Sequence, residues 1–225
     1  SAIYNNIQTA MRCYLSILLF LLLLAPAKAQ PKYEVRAAWV TAVYGLDWPR
    51  TKATTPTAIR RQQEELTDIL DKLKAANFNT ILFQTRTRGD VLYHSSIEPY
   101  NSILTGKVDG DPGYDPLAFA VRECHKRGME CHAWMVAIPL GNKKHVASLG
   151  NKSVTKQRKE ICIPYKNEYF LNPGHPSTKE YLMKLVREVV TRYDIDGVHF
   201  DYFRYPENAP RFPDNYDFRR YGKGR

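Results

Sequence analysis

Apolar residues change their spacing in a regular order along this chain. A dense apolar run from Leu15 to Ala25 comes first. From residue 34 onward, short β-like runs alternate with stretches of helical spacing. Residues 34–43 (EVRAAWVTAV) predict a first strand. Ile59, Leu66, Ile69, Leu70 and Leu73 then recur at helical spacing with charges between them, which predicts a helix. Thr55 is its candidate cap, Pro56 suits its first turn, and Asn77 ends it. Residues 80–85 (TILFQT) predict a second strand, and the polar, turn-rich stretch 86–115 reads as a long loop. Asp115-Pro-Leu opens a second helix that runs to Lys126, with Gly128 as its stop. Residues 129–136 (MECHAWMV) predict a third strand. Residues 137–177 show no strong periodicity and read as a second long loop, a feature that usually serves function. A third helix is expected from Ser177 to Tyr193, with Ser177 and Glu180 as a capping box. The fourth strand, Gly197–Asp201, ends in the polar and aromatic tip Tyr202-Phe-Arg-Tyr-Pro206.

The order β-α-β-α-β-α-β predicts an α/β fold in which each helix carries the chain back to a parallel strand. A complete TIM (β/α)₈ barrel takes about 250 residues. Four strands therefore lead us to expect roughly the first four βα units of such a barrel, over residues 30–225. The rival is a small doubly wound domain, which the lack of a Gly-rich first βα turn weakens.

The N-terminal apolar run changes the picture of where the protein works. Arg12, the run itself and the Ala27-x-Ala29 pattern have the form of a secretory signal within residues 1–29. Its eleven or so apolar residues fall short of the roughly 20 that span a bilayer, so no stable membrane span is expected after cleavage; an uncleaved anchor is the alternative. Cys13 precedes the run, so no lipobox is present. The expected location is exported: periplasmic or associated with the cell envelope. Removing residues 1–29 takes away Arg12 and Lys28 and lowers the formal charge from +10 to +8. A basic surface suits an acidic partner such as an anionic glycan, a membrane surface or nucleic acid, but no nucleic-acid motif accompanies it. Cys124, Cys131 and Cys162 remain, an odd number without zinc or disulfide spacing, and read as buried thiols. Nothing in the sequence implies a cofactor or a metal.

Side-chain alternation along strands selects the candidate chemistry. His199 and Asp201 share one face of the fourth strand, opposite Val198 and Phe200. His132 and Trp134 share a face of the third, and Leu82, Gln84 and Arg86 a face of the second. Polar groups turned toward a barrel axis are costly unless paired or used, and catalytic residues of barrels gather at the C-terminal strand ends. Asp201 is the leading catalytic candidate. The loop after the second strand adds Arg86, Arg88, Asp90 and Tyr93, while Tyr202, Arg204 and Tyr205 surround Asp201; the aromatics offer flat faces to sugar rings. A metal triad of His132, His199 and Asp201 has no supporting spacing. Residues 143–159 carry Lys143, Lys144, His145, Lys152, Lys156, Arg158 and Lys159. They read either as a solvated loop or as a basic lid that attracts acidic glycans.

Five segments together resemble the glycosyl-hydrolase-like 10 family. They are Val35-Arg-Ala-Ala-Trp-Val-Thr41, Phe83-Gln-Thr-Arg-Thr-Arg-Gly-Asp90, Gly113-Tyr-Asp-Pro-Leu117, His125-Lys-Arg-Gly128 with His132-Ala-Trp134, and Asp196-Gly-Val-His-Phe-Asp-Tyr-Phe-Arg-Tyr-Pro206. The resemblance implies an exported barrel protein hydrolysing a bacterial cell-wall glycan or another polysaccharide. The alternatives are a non-catalytic carbohydrate-binding barrel and a metal-dependent barrel hydrolase. It implies Asp201 as nucleophile or transition-state stabiliser, with Asp90, and then Asp47, as local candidates for the second carboxyl that glycoside hydrolysis needs. It also places Arg36, Trp39, Gln84, Arg86, Arg88, Tyr93, His132, Trp134, His199, Tyr202, Arg204 and Tyr205 in the substrate site. The chain departs from the family's Asn-Pro-x-Arg-like segment, reading Met135-Val-Ala-Ile-Pro-Leu-Gly-Asn142 instead. In the family's terms residue 225 falls midway through the catalytic domain, so the acid/base is expected on a later strand and the chain by itself is expected to bind glycan without cleaving it.

Overall fold

A computed structural model describes residues 34–222. The expected signal segment, residues 1–29, lies outside the described residues. In chain order the elements are β1 (Ala37–Val40), α1 (Pro56–Ala75), β2 (Thr80–Arg86), α2 (Pro116–Lys126), β3 (Glu130–Val136), β4 (Pro139–Asn142), α3 (Lys143–Ser148), α4 (Val154–Gln157), β5 (Cys162–Tyr165), β6 (Glu168–Leu171), α5 (Pro176–Arg192), β7 (Gly197–Asp201) and α6 (Asn215–Tyr221). Short 3₁₀ turns lie between some of them.

Strands β1, β2, β3 and β7 form one parallel sheet in that order. Helices α1, α2 and α5 make the crossovers, as the alternating sequence pattern requires. This is the α/β architecture of a (β/α)₈ barrel, present here as four βα units. The sheet is strongly curled. On a flat sheet β1 and β7, three spacings apart, would lie about 14 Å from each other. Yet the rings of Trp39 on β1 and His199 on β7 meet at 4.6 Å. Curvature of that kind is what closing a barrel demands.

The outer face of the sheet packs against the helices. Ile81, Phe83, Cys131, Ala133 and Met135 are buried there with Leu66, Leu70, Leu117, Ala120, Leu185 and Val189. Each such leucine contributes roughly 2–3 kcal/mol of burial. The caps agree with the chemistry of the sequence at two helices. The Thr55 side chain accepts from the Ala58 N–H, and Asp115 accepts from Ala118; proline occupies the first turn in both cases. Asn77 and Gly128 take positive φ just past the helix ends, where a left-handed residue closes the last turn.

Two expectations are corrected. The third long helix is not capped by Ser177. It starts at Pro176, and His175 Nδ1 accepts from the Ser177 N–H. The proline fixes the first turn one residue earlier than the capping-box pattern suggests. Residues 137–177 are not a loop either. They fold into an antiparallel sheet of order β4-β6-β5 with two short helices. Ile138, Leu140, Val146, Val154, Ile161, Ile163, Phe170 and Leu171 bury this insertion against the main core. It follows β3, so it stands on the C-terminal side of the barrel sheet.

Cys124, Cys131 and Cys162 are free thiols, the first two buried and the third half-buried. Burial pushes the Cys162 thiol up to about 12, which removes it as a nucleophile near neutral pH. No helix among the described residues is long and apolar enough to cross a membrane.

Candidate active site at the mouth of the sheet

The site is built on the concave face, where alternation along β1, β3 and β7 turns Trp39, Trp134, His199 and Asp201 the same way. Trp39 is the hub. Its ring meets Trp134 edge-on at 4.5 Å and His199 edge-on at 4.6 Å. Trp39 is 47 % exposed, so this aromatic floor faces open space rather than the helices. Trp134 and His199 are direct partners in the register between β3 and β7, and Val136 pairs with Asp201 one step further toward the strand ends.

Asp201 closes β7. Trp134 Nε1–H donates to its Oδ2 at 3.2 Å, and the Tyr202 N–H donates to its Oδ1 at 2.7 Å. Two N–H donors therefore fix the plane of the carboxylate while leaving it half exposed. Tyr202 takes a left-handed backbone, φ 49°, which is costly for a bulky residue. That turn is what brings the Tyr202 N–H back onto the carboxylate. Past it, Arg204 lies 5.2 Å from the Tyr202 ring and forms an ion pair with Glu207 at 2.7 Å. The Tyr205 hydroxyl donates to Asp214 at 2.6 Å, and that bond together with burial pushes its phenol up to about 12. Tyr202, Arg204 and Tyr205 line a cavity of about 290 Å³ with Arg88, Pro139, Glu168 and Phe170.

Several residues expected at the site stand elsewhere. Arg36 precedes β1, at the N-terminal end of the sheet, and its Nε donates to the Asn77 carbonyl. That end of a barrel serves stability. Arg86 is wholly buried. It makes a two-pronged ion pair with Glu98, both bonds 2.7 Å, and also donates to the carbonyls of Val136 and Ala137. Burial works against its charge, but the Glu98 carboxylate outweighs this and raises the guanidinium pKa. Tyr93 is also wholly buried, against Tyr193. Gln84 is buried and ties two strand ends together, accepting from the Thr41 hydroxyl and the Ala42 N–H.

His132 sits one layer deeper than Trp134, bonded to Glu130 at 3.0 Å. Gly197 makes room for it: a Cβ there would lie 2.7 Å from the His132 ring. Asp90 is buried inside its own loop, accepting from Thr87 and from the Arg88 N–H. Asp47 is exposed and accepts from the Thr41 N–H. Among the described residues no group of three His, Cys, Asp or Glu side chains is placed to hold a metal ion.

Two of the six lysines and arginines in the basic stretch have carboxylate partners among the described residues. Lys152 pairs with Asp109, and Arg158 with Glu160. Tyr44 and Lys52, which no sequence motif marks, stand with Arg88 and His145 around a second cavity of about 380 Å³. Tyr44 follows the first strand and has φ 55°; a turn of that kind leaves no periodic signal in the sequence.

Curled parallel strands with a carboxylate and aromatic rings on their concave face define a (β/α)₈-barrel protein with a candidate site at the barrel mouth. The chain belongs to the Glycosyl hydrolase-like 10 family, which matches residues 34–225. It is 34% identical over 200 residues to Glycosyl hydrolase YngK of Bacillus subtilis (strain 168), covering 88% of this chain and 39% of that protein. It is 34% identical over 212 residues to Glycosyl hydrolase DigH of Escherichia coli (strain K12), covering 88% of this chain and 48% of that protein. The chain thus spans less than half the length of these relatives. Among solved structures, a noncanonic maltogenic alpha-amylase, AmyB from Thermotoga neapolitana, is similar in fold. Its TM-score is 0.51 at 15% identity, over 76% of this chain and 40% of that one.

Proposed function

We propose that the protein is a glycoside hydrolase acting on a bacterial cell-wall glycan or a related polysaccharide outside the cytoplasm. The observation that carries the reading is Asp201 at the end of β7. Its two oxygens are held by Trp134 Nε1–H and the Tyr202 N–H, beside the floor made by Trp39 and His199. Apolar ring faces bind the C–H faces of sugars, and a carboxylate fixed in plane stabilises or attacks an oxocarbenium-like anomeric carbon. In the first case Asp201 stabilises charge and a water attacks. In the second it forms a glycosyl-enzyme bond that water later hydrolyses. Both need a second carboxyl as acid/base. Asp90 is poorly suited, because it is buried, with Oδ1 held by Thr87 and the Arg88 N–H and Oδ2 facing His145 at 3.6 Å. The reading assigns the acid/base to a later strand, in the part of the relatives' length that this chain does not span.

Asp201→Asn in the catalytically competent protein tests the assignment. The neutral amide keeps the shape but loses nucleophile and charge. Turnover of a cell-wall glycan is expected to fall by about 10³-fold or more, with the Kd for that glycan changing little. Turnover within tenfold of wild type contradicts the role. Binding by wild type with no turnover under any condition favours a carbohydrate-binding barrel instead.

A further inference from the structure

The cavity at the C-terminal ends of β1, β2 and β3 has a chemistry of its own. Its volume, about 380 Å³, falls in the range of small-ligand sites. Lys52 and Arg88 line it together with Asn101, Asn142, Tyr44 and His145, and none of its lining residues is an aspartate or glutamate. We propose that this cavity is a subsite for a carboxylate-bearing sugar of the substrate, with Lys52 and Arg88 as its two cationic anchors. The inference rests on the glycan reading above and adds the class of sugar that the protein selects.

Three observations support it. First, the two cations are under-used by the protein itself. Lys52 Nζ donates to the Ile103 carbonyl at 2.6 Å and has no carboxylate partner among the described residues. Burial lowers its pKa, and an incoming anion would relieve that cost. Arg88 meets an acid only at Glu168, 3.8 Å away with both side chains nearly half exposed, a pairing worth little in water. Most of its fork of donors stays free for a planar carboxylate.

Second, the local backbone is arranged around Arg88. Gly141 has φ +92°, and a Cβ there would lie 2.7 Å from the His145 ring and 3.5 Å from Arg88 Cδ. The glycine lets both side chains lie against the cavity wall. His145 Nε2 is 3.0 Å from the Arg88 carbonyl; a carbonyl only accepts, so Nε2 carries the proton and holds the Arg88 backbone in place. His145 is thus a positioning residue.

Third, this cavity shares a lining residue with the one that borders Tyr202, the residue after Asp201. Arg88 also lines the 290 Å³ cavity formed with Tyr202, Arg204 and Tyr205. Tyr44, 88% exposed, also lines the cavity, and its ring is accessible to a sugar face.

The test compares two probes by calorimetry at low ionic strength. One is a tetrasaccharide of alternating N-acetylglucosamine and N-acetylmuramic acid with free carboxylates. The other is the same tetrasaccharide with its carboxyls reduced to alcohols. The free acid is expected to bind about tenfold tighter, as charge-assisted hydrogen bonds imply. In the Lys52→Gln/Arg88→Gln variant the preference, read as the ratio of the two Kd values, is expected to vanish. Should Lys52→Gln lower the melting temperature, Arg88→Gln alone, at a partly exposed position, must still shrink the preference at least threefold. Equal binding of the two probes by wild type overturns the subsite and leaves the glycan reading standing. Failure of both probes to bind overturns the glycan reading and the subsite with it.

Discussion

Arg86 ends a strand and shares a face with Gln84, which is why alternation marks it for substrate. Its guanidinium is instead saturated by Glu98 and two carbonyls, and the Tyr181 hydroxyl donates to Glu98 from the far side at 2.7 Å. The network fastens the loop after β2 to β3 and α5. Removing one partner strands a buried charge, so Glu98→Ala is expected to cost about 3–5 kcal/mol in urea denaturation. A loss below about 1 kcal/mol would contradict this account. Asp196 shows the same logic with a pH signature. Burial raises its pKa, but the Cys131 N–H and His125 outweigh this and the net shift is downward. A depressed folded pKa gives stability that is present above the unfolded value, roughly 4, and is lost as pH falls through the folded one. Asp196→Asn should therefore flatten the loss of stability between pH 5 and 2, read as the urea midpoint at each pH. An unchanged profile would remove Asp196 from that role. Neither Glu98 nor His125 announces its partner in sequence, because each contact joins distant segments.

Elements with whole turns or whole strands to display are legible in the chain. The spacing of Leu66, Leu70 and Leu73, the Thr55 and Asp115 caps and the four barrel strands all stand where the pattern puts them, within a few residues. The insertion after β3 is not legible, since its strands have four residues each and show too few periods to register. The start of α5 misleads for a different reason. Ser177 and Glu180 match a capping box, yet Pro176 sets the first turn and His175 takes the cap. Thr55→Ala should accordingly cost about 1 kcal/mol, while Ser177→Ala should cost under about 0.5 kcal/mol. Chemical denaturation of the two variants separates these values, and equal losses would restore Ser177 as the cap.

At the scale of the whole molecule, the curl of the sheet creates the site. It carries Trp39 across one intervening strand to meet Trp134 and across two to meet His199, and it aims Asp201 at the same hollow. Alternation foretold that His199 and Asp201 share one face, as Trp134 does with His132, whereas Trp39 entered only through the family resemblance. The distance between the edges of the sheet was not foretold, because curvature belongs to the assembled sheet and to no single strand. Arg36 illustrates the same limit: it shares a motif with Trp39, but it precedes the strand and its Nε donates to the Asn77 carbonyl there. The account's central claim is that this concave face binds glycan, and the chain's three tryptophans test it directly. Trp39 and Trp134 form the floor, while Trp48 is buried and bonded to the Gln62 carbonyl. In nitrogen–proton correlation spectra, titration with a cell-wall oligosaccharide should shift the Trp39 and Trp134 indole signals along one saturation curve and leave Trp48 in place. A glycan that binds while both floor signals stay still would contradict the claim.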